Sequence, residues 1–373
     1  MKHLKLWPTL FLILFLIEVF SVLPLTTDFS QTTVPTRPFA RGVVHLSPLS
    51  SSNLDISFSP LVRAAKKNRY QFLILQPGEG ELLQQEGIHQ GVTVFFEKEV
   101  ELPAGHTTTL SLPTPIKIMA HPNHVRYPWK KMEIFEEGLE VFSLSSALER
   151  QAYDNFPRLF LSLLLSPFNQ FLVTVRSLEV FEKDLGLWDQ VNAFSVGHFG
   201  VVSHDIKKLP FSQTIARTFP WIWEKILHTT SNIVLLKESL PDDFLGIRDK
   251  LSRGISEGNM VVAFEAIHPF EGNDWRLQCV EQHFISGDKP NLDGKSCEFQ
   301  LDLPLTLPYP AFVRLIRNGT ILEDTLIQGN QWRRTLAEPG VYRVEVLVEI
   351  KSRFGLLAKS RTPYLFYNPI YVR

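Results

Sequence analysis

Arg41-Gly-Val-Val-His-Leu-Ser47 is the stretch on which the fold turns. Gly42–Leu46 reads as a short apolar strand. Outward from it, strands alternate with helical patterns. Pro60–Asn68 reads as a helix, with Leu61, Ala64 and Ala65 on one side and Arg63, Lys66 and Lys67 on the other. Phe72–Leu75, Gly91–Phe96, Ile116–Ala120 and Gly138–Phe142 read as further strands. Trp188–Ala193 then reads as a helix and Phe199–Val202 as another strand. Strands spaced by helices imply parallel βαβ units. A series of about 200 residues can close into a barrel with its functional loops at the strand C-terminal ends. The expectation is therefore a distorted TIM-like (β/α)7 barrel over residues 31–257.

Two apolar segments sit within that span. Pro157–Val175 is dense in Leu and Phe and reads as a helix pair broken at Pro167; Arg158, Asn169 and Gln170 argue against a membrane span. Arg217–Leu227 carries Trp221 and Trp223, which suit core packing or a membrane-facing aromatic patch.

From Gly258 onward β signals dominate. Val313–Arg317, Asn318-Gly319 and Thr320–Leu326 read as a hairpin with a type I′ turn. Val341–Ile350 alternates like a half-buried strand. Residues 258–373 are expected to form a small all-β, immunoglobulin-like sandwich. Cys279 and Cys297 fall here; an oxidising compartment would let them pair, and two buried thiols are the other reading.

The N-terminus reads as an export signal. Lys2, His3 and Lys5 precede the unbroken apolar run Leu10–Ile17. Residues 1–30 are expected to be a cleaved signal peptide or a transmembrane signal anchor, the stretch 4–25 being about long enough to span a bilayer. Thr27–Pro38 reads as the linker that follows. The expected location is exported and periplasmic, or anchored in the inner membrane. A net charge of -1 gives no basic face for nucleic acid. Neither a Gly-x-x-x-x-Gly-Lys loop, a Gly-x-Ser-x-Gly elbow nor a His-Glu-x-x-His motif is present.

Arg41–Ser47 also resembles the opening strand of the polymerase-and-histidinol-phosphatase (PHP) superfamily of metal-dependent phosphoesterases, which ends His-x-His. The likeness continues in order through Phe72–Leu75, Phe95–Val100, the Met-Ala-His-Pro of Met119–Pro122, Leu139–Leu144 and Leu187–Lys207. Gly340–Glu345 and Asn368–Val372 look like the C-terminal sandwich of secreted members. The resemblance implies a cluster of metal ions that bind phosphate oxygens and lower the pKa of a water.

Carried over residue by residue, that cluster is eroded. His45, Glu99, His121 and Asp205 stand as residual metal ligands, with Glu97 the alternative for Glu99 and His204 the alternative register for Asp205. Ser47, Pro77, Gly78 and Lys207 occupy positions where the pattern needs ligands, and Lys207 places an ammonium where cations would sit. Two functions follow. One is a metal-free pseudoenzyme that binds an unknown ligand. The other is a hydrolase with one divalent ion (Zn, Mn or Fe) acting on a phosphoester, since three protein ligands and a water suffice. Metal-free, His45 reads as a core histidine, His121-Pro122 as a turn, Glu99 as surface and Asp205 as a helix cap.

Overall fold

The computed structural model describes residues 12–17, 37–46, 54–76, 86–124, 128–129 and 137–154, scattered positions from 155 to 181, 182–204 apart from 196, and 222–373 apart from 281, 293, 295, 337 and 352–360. Strands β1 Phe39–Leu46, β2 Phe72–Leu75, β3 Gly87–His89, β4 Val92–Glu101, β5 His106–Leu110, β6 Ile116–Ala120, β7 Gly138–Ser143 and β8 Phe199–Ser203 come first. They are followed by β9 Ser231–Leu235, β10 Met260–Ala263, β11 Asp274–Cys279, β12 Gln282–Phe284 and β13 Cys297–Asp302. The last are β14 Ala311–Arg317, β15 Thr320–Leu326, β16 Gln331–Thr335, β17 Gly340–Val348 and β18 Thr362–Val372. The helices used below are α1 Leu54–Lys67, α2 Leu144–Asp154, α3 Glu182–Phe194, α4 Ile222–Leu227 and α5 Phe244–Ser256.

Fourteen strands form one mixed sheet, in the order β15-β14-β17-β18-β10-β9-β1-β2-β4-β5-β6-β7-β8, with β3 beside β4. The expected TIM-like (β/α)7 barrel is therefore corrected: strand dominates over helix, and the sheet is not wholly parallel. A (β/α) barrel needs a crossover helix between every pair of neighbours. Here β1–β2–β4 and β6–β7–β8 are parallel, but β4–β5–β6 is an antiparallel meander and β9 runs antiparallel to β1. The Thr-rich strand His106–Leu110 lies between the strands read at Gly91–Phe96 and Ile116–Ala120, where alternating helix was expected. Nor is the sandwich a separate appendage, because β10 pairs with both β9 and β18 and carries the same sheet into the C-terminal half.

Alternation fixes the two faces of the first half. One face buries Ala40, Val44, Phe72, Ile74, Phe95, Leu110, Ile118, Phe199 and Val201, and α5 adds Ile247, Leu251 and Ile255 to that cluster. Asp243 caps α5 by accepting from Gly246 N at 2.8 Å. The opposite face of β1, β2 and β4 packs Val43, Leu73, Val94 and Phe96 against Leu61 and Ala65 of α1 and Trp223 of α4. Trp223 is fully buried, so core packing accounts for it. Gly42 is needed in β1 because a Cβ there would lie 2.4 Å from the Phe72 ring.

The sheet curls until β8 returns to β1. His204 N donates to His45 O at 3.0 Å. Beside that bond, the Asn232 side chain of β9 accepts from Val202 N (2.9 Å) and donates to Val202 O (2.7 Å). Asn368 of β18 does the same for Gly200, at 2.6 and 3.3 Å. Two amide side chains thus complete a seam that lacks a full backbone ladder.

A second sheet, β12-β11-β13-β16, faces the C-terminal part of the first. Trp275 stacks on Phe299 at 5.0 Å, and Phe299 meets Tyr342 at 4.8 Å. Cys279 and Cys297 stand directly opposite in β11 and β13 and are disulfide-bonded. The β14–β15 hairpin turns through Asn318 (φ 49) and Gly319 (φ 78), the left-handed pair a type I′ turn needs. Buried Arg343 of β17 grips Asp189 of α3 through Nε (2.5 Å) and Nη2 (2.7 Å), reaches Glu345 through Nη1 (2.5 Å), and lies over the Trp188 ring at 4.9 Å.

The transmembrane expectation is corrected as well: no described helix is long and apolar enough to cross a membrane. Within the stretch 4–25 only residues 12–17 are described, a helix of about 9 Å at 1.5 Å per residue. The signal segment as a whole, most of Pro157–Val175, and Ser47, Pro77, Gly78, Asp205 and Lys207 lie outside the described residues.

Candidate metal centre

The polar residues gather at the C-terminal ends of β1, β4, β7 and β8, on the face that buries Phe95 and Val201 lower down. Glu97 and Glu99 follow Phe95 at alternate positions of β4 and so share its face. Thr108 arrives opposite Glu99 on β5. Glu140 is a carboxylate inside the wholly buried strand Gly138–Ser143.

The two histidines reach this face by breaking the strand rule. His45 follows Val44, and plain alternation would send it toward α1 with Val43. A register break between Val43 and Leu46, with His45 in the left-handed region at φ 59, turns its ring inward instead. His121 comes directly after β6 and is left-handed too, at φ 50. Such backbone in a non-glycine residue costs about 1–3 kcal/mol and gathers at functional sites.

Coordinating atoms of His45, Glu99 and His121 all lie within 4.8 Å of one another. Two donors bound to one ion at about 2.1 Å sit at most about 4.2 Å apart, so small side-chain shifts close the three around a cation. Each has a polar neighbour that aims it. Glu97 Oε1 is 2.6 Å from His45 Nδ1, and Thr108 Oγ1 is 3.2 Å from the same nitrogen. That engagement presents Nε2 of His45 to a metal. Glu140 Oε1 lies 3.1 Å from His121 Nδ1, while its Oε2 accepts from His121 N at 3.0 Å. His106 Nδ1 stands 3.2 Å from Glu99 Oε1. One turn on, His124 Nε2 pairs with Glu149 of α2 at 2.9 Å. A histidine with a carboxylate on one nitrogen is the arrangement that orients metal ligands and raises their basicity.

Burial alone would raise the Glu140 carboxyl; the His121 ring, then His45 and the Ser203 hydroxyl (2.6 Å), hold it down at about 2. Two nitrogens and a carboxylate oxygen suit Zn, Mn or Fe.

The structure therefore brings together three of the four sequence candidates, His45, Glu99 and His121. Glu97 serves as the partner of His45, outside the triad. His204 faces away: Phe199, Val201 and Ser203 take the inner positions of β8, and the His204 ring goes to Thr230 Oγ1 at 2.9 Å. Burial pushes the His204 pKa down to about 4, so the ring is neutral. Glu140, Thr108, His106, His124 and Glu149 escape sequence reasoning. Only Glu140 leaves a signal, as the one charge in an otherwise apolar strand.

No family model matches the chain, and no curated protein matches it. Among solved structures it is similar to the crystal structure of PsfC from Pseudomonas syringae PB-5123, at 8% identity over 57% of this chain and 88% of that one, with a TM-score of 0.37. Likeness at that level carries no argument, and the PHP resemblance gains no support from these comparisons.

Proposed function

We propose that this protein binds one divalent transition-metal ion through His45, Glu99 and His121 and uses it to hydrolyse a phosphoester. The observation that carries the reading is the convergence of these three coordinating groups, 54 and 22 residues apart along the chain (45 to 99, 99 to 121), within 4.8 Å. A divalent ion held there supplies a Lewis acid and a water of lowered pKa. The protein's own contribution is orientation. Glu97 fixes the His45 ring, Glu140 fixes His121 from both its ring and its backbone, and His106 steadies Glu99. Below them the aromatic and aliphatic face of Phe95, Ile118 and Val201 keeps water from the ligands' far side.

Metal content of the purified chain, dialysed against Zn, Mn or Fe in turn, tests the reading. The expected result is close to one ion per chain, lost in His45→Ala and His121→Ala, together with metal-dependent release of phosphate from a monoester. A wild-type chain that retains no metal would sink it. That outcome would favour the second reading, a metal-free binding protein, which Ser47, Pro77 and Gly78 support by supplying no ligand where the PHP pattern has them.

A further inference from the structure

Away from the triad, the second sheet turns a charged face outward. Trp275, Leu277 and Cys279 of β11 pack into the sandwich core, so alternation sends Asp274, Arg276 and Gln278 to the other side. Register sets Asp302 of β13 directly opposite Asp274. Arg276 joins the two: Nη1 donates to Asp274 and to Asp302 Oδ2 (2.8 Å), and Nη2 donates to Gln300 Oε1 (2.8 Å). A guanidinium has five N–H groups, so among the described residues one on Nε and one on Nη2 remain for a ligand.

A cavity of about 490 Å³ opens between this face and the start of β1. Small-molecule sites run from about 300 to 1,000 Å³. Its apolar lining is Pro38, Leu236 and Ile285, and Leu236 N ties two of these together by donating to Pro38 O at 2.9 Å. Three cations, Arg37, Lys237 and Arg276, meet three carboxylates, Asp274, Asp288 and Asp302; His283 is the other titratable group there. Each carboxylate already has a partner. Asp274 and Asp302 hold Arg276, Arg37 lies 3.8 Å from Asp274, and Asp288 Oδ2 accepts from Ile285 N at 2.8 Å. The charges therefore cancel inside the cavity, and an ionic ligand would have to break pairs to enter. A neutral ligand that both donates and accepts can add to them.

We propose that this cavity binds a neutral sugar through one pyranose unit. A sugar hydroxyl accepts and donates at once, so it can take an Arg276 N–H while it or its ring neighbour donates to the Asp302 carboxylate. Hydrogen bonds with one charged partner are the strong kind. The side chains of Arg276 and Asp302 are only 20% and 22% exposed, which limits competition from water. Both stand on strands and are held in place before the sugar arrives. The C–H face of the ring rests on Pro38, Leu236 and Ile285. Arg37 and Pro38 precede β1 whereas His45 comes near its end, so this site and the metal centre lie at opposite ends of one strand and work independently.

Titration calorimetry of the full chain with glucose, galactose, mannose, N-acetylglucosamine, maltose and cellobiose tests the site, with glucuronate and lysine as charged controls. At least one neutral sugar should bind one to one, about 10-fold or more tighter than either control. Its affinity should change less than about twofold between about 0.05 and 0.5 M salt, because no net charge is being matched. Asp302→Asn and Arg276→Met should each weaken it about 10-fold or more. Lys237→Met, an exposed change that leaves the Arg276 network whole, should weaken it about threefold and keeps the test open if Arg276→Met does not fold. Chelator and His45→Ala should leave it unchanged. No binding of any of these sugars at about 10 mM, tighter binding of glucuronate or lysine, or an affinity that Asp302→Asn and Lys237→Met both leave untouched would each overturn the assignment. So would loss of binding in His45→Ala, which would move the sugar to the metal centre.

Discussion

The charged cluster around Arg343 and the one around His45 are both buried, and both set carboxylates against nitrogen. They differ in the chemistry of the nitrogen. Arg343 spends Nε, Nη1 and Nη2 on Asp189 and Glu345 and covers its flat face with Trp188. A guanidinium has donors only, so Arg343 itself cannot coordinate a cation. At His45 and His121 the carboxylate takes one ring nitrogen, and an imidazole has a second. One cluster is a closed lock between α3 and β17; the other is an oriented set of side chains of the kinds that bind metals.

Four measurements press on that contrast, in descending order of expected effect. Arg343→Met strands Asp189 as an unpaired charge and leaves Glu345 with Arg314 alone (3.1 Å), and should cost about 3–5 kcal/mol in urea unfolding, equally with and without chelator. A loss below about 1 kcal/mol would mean the cluster locks nothing.

Acid comes next: the guanidinium does not titrate, whereas His204, at the bond that closes β8 on β1, and Glu140 do. His204 is held neutral in the fold to about pH 4, against an ordinary value of 6.5. Between those values the unfolded chain binds the extra proton, so stability falls as pH drops from 6.5 to 4, by roughly 3 kcal/mol. Glu140 adds a second loss, as pH falls from the usual 4.5 through about 2. His204→Gln should flatten the upper window, and an unchanged slope in that variant would assign it elsewhere.

Third, saturating metal at about a hundred times its Kd should stabilise the wild type by about 2.7 kcal/mol and leave His45→Ala unmoved. A thermal shift shared by both proteins would place the ion outside the triad. Last, Glu97→Gln keeps the shape at His45 Nδ1 but removes the charge, and should weaken metal binding about 10–100-fold by calorimetry. An unaltered affinity would demote Glu97 to a packing role.

How much of this was legible in the chain depends on range. His45, Glu99 and His121 were named because the strands ending at or running into them resemble the PHP pattern in order; periodicity alone reads them as a core histidine, a surface residue and a turn. Their carboxylate partners were not, since no local pattern says that Glu140 meets His121 or Glu149 meets His124. The fold was misjudged for a related reason. Strand-like segments were found at β1, β2, β4, β6, β7 and β8, but parallel and antiparallel neighbours have the same local periodicity. The strands passed over, His106–Leu110, Ser231–Leu235 and Met260–Ala263, are short, and they are the ones that turn a supposed barrel into a sheet shared by both halves. Left-handed backbone at His45 and His121 leaves no trace in composition at all.

The seam where β8 meets β9 and β18 has a consequence for how this architecture can vary. A main-chain ladder is indifferent to which residues carry it, whereas here Asn232 and Asn368 each satisfy both polar groups of the residue opposite. Closure is therefore written in two codons. Asparagine-to-aspartate at either place removes the donor and sets a carboxylate against a carbonyl oxygen, so one nucleotide change acts directly on whether the sheet stays curled.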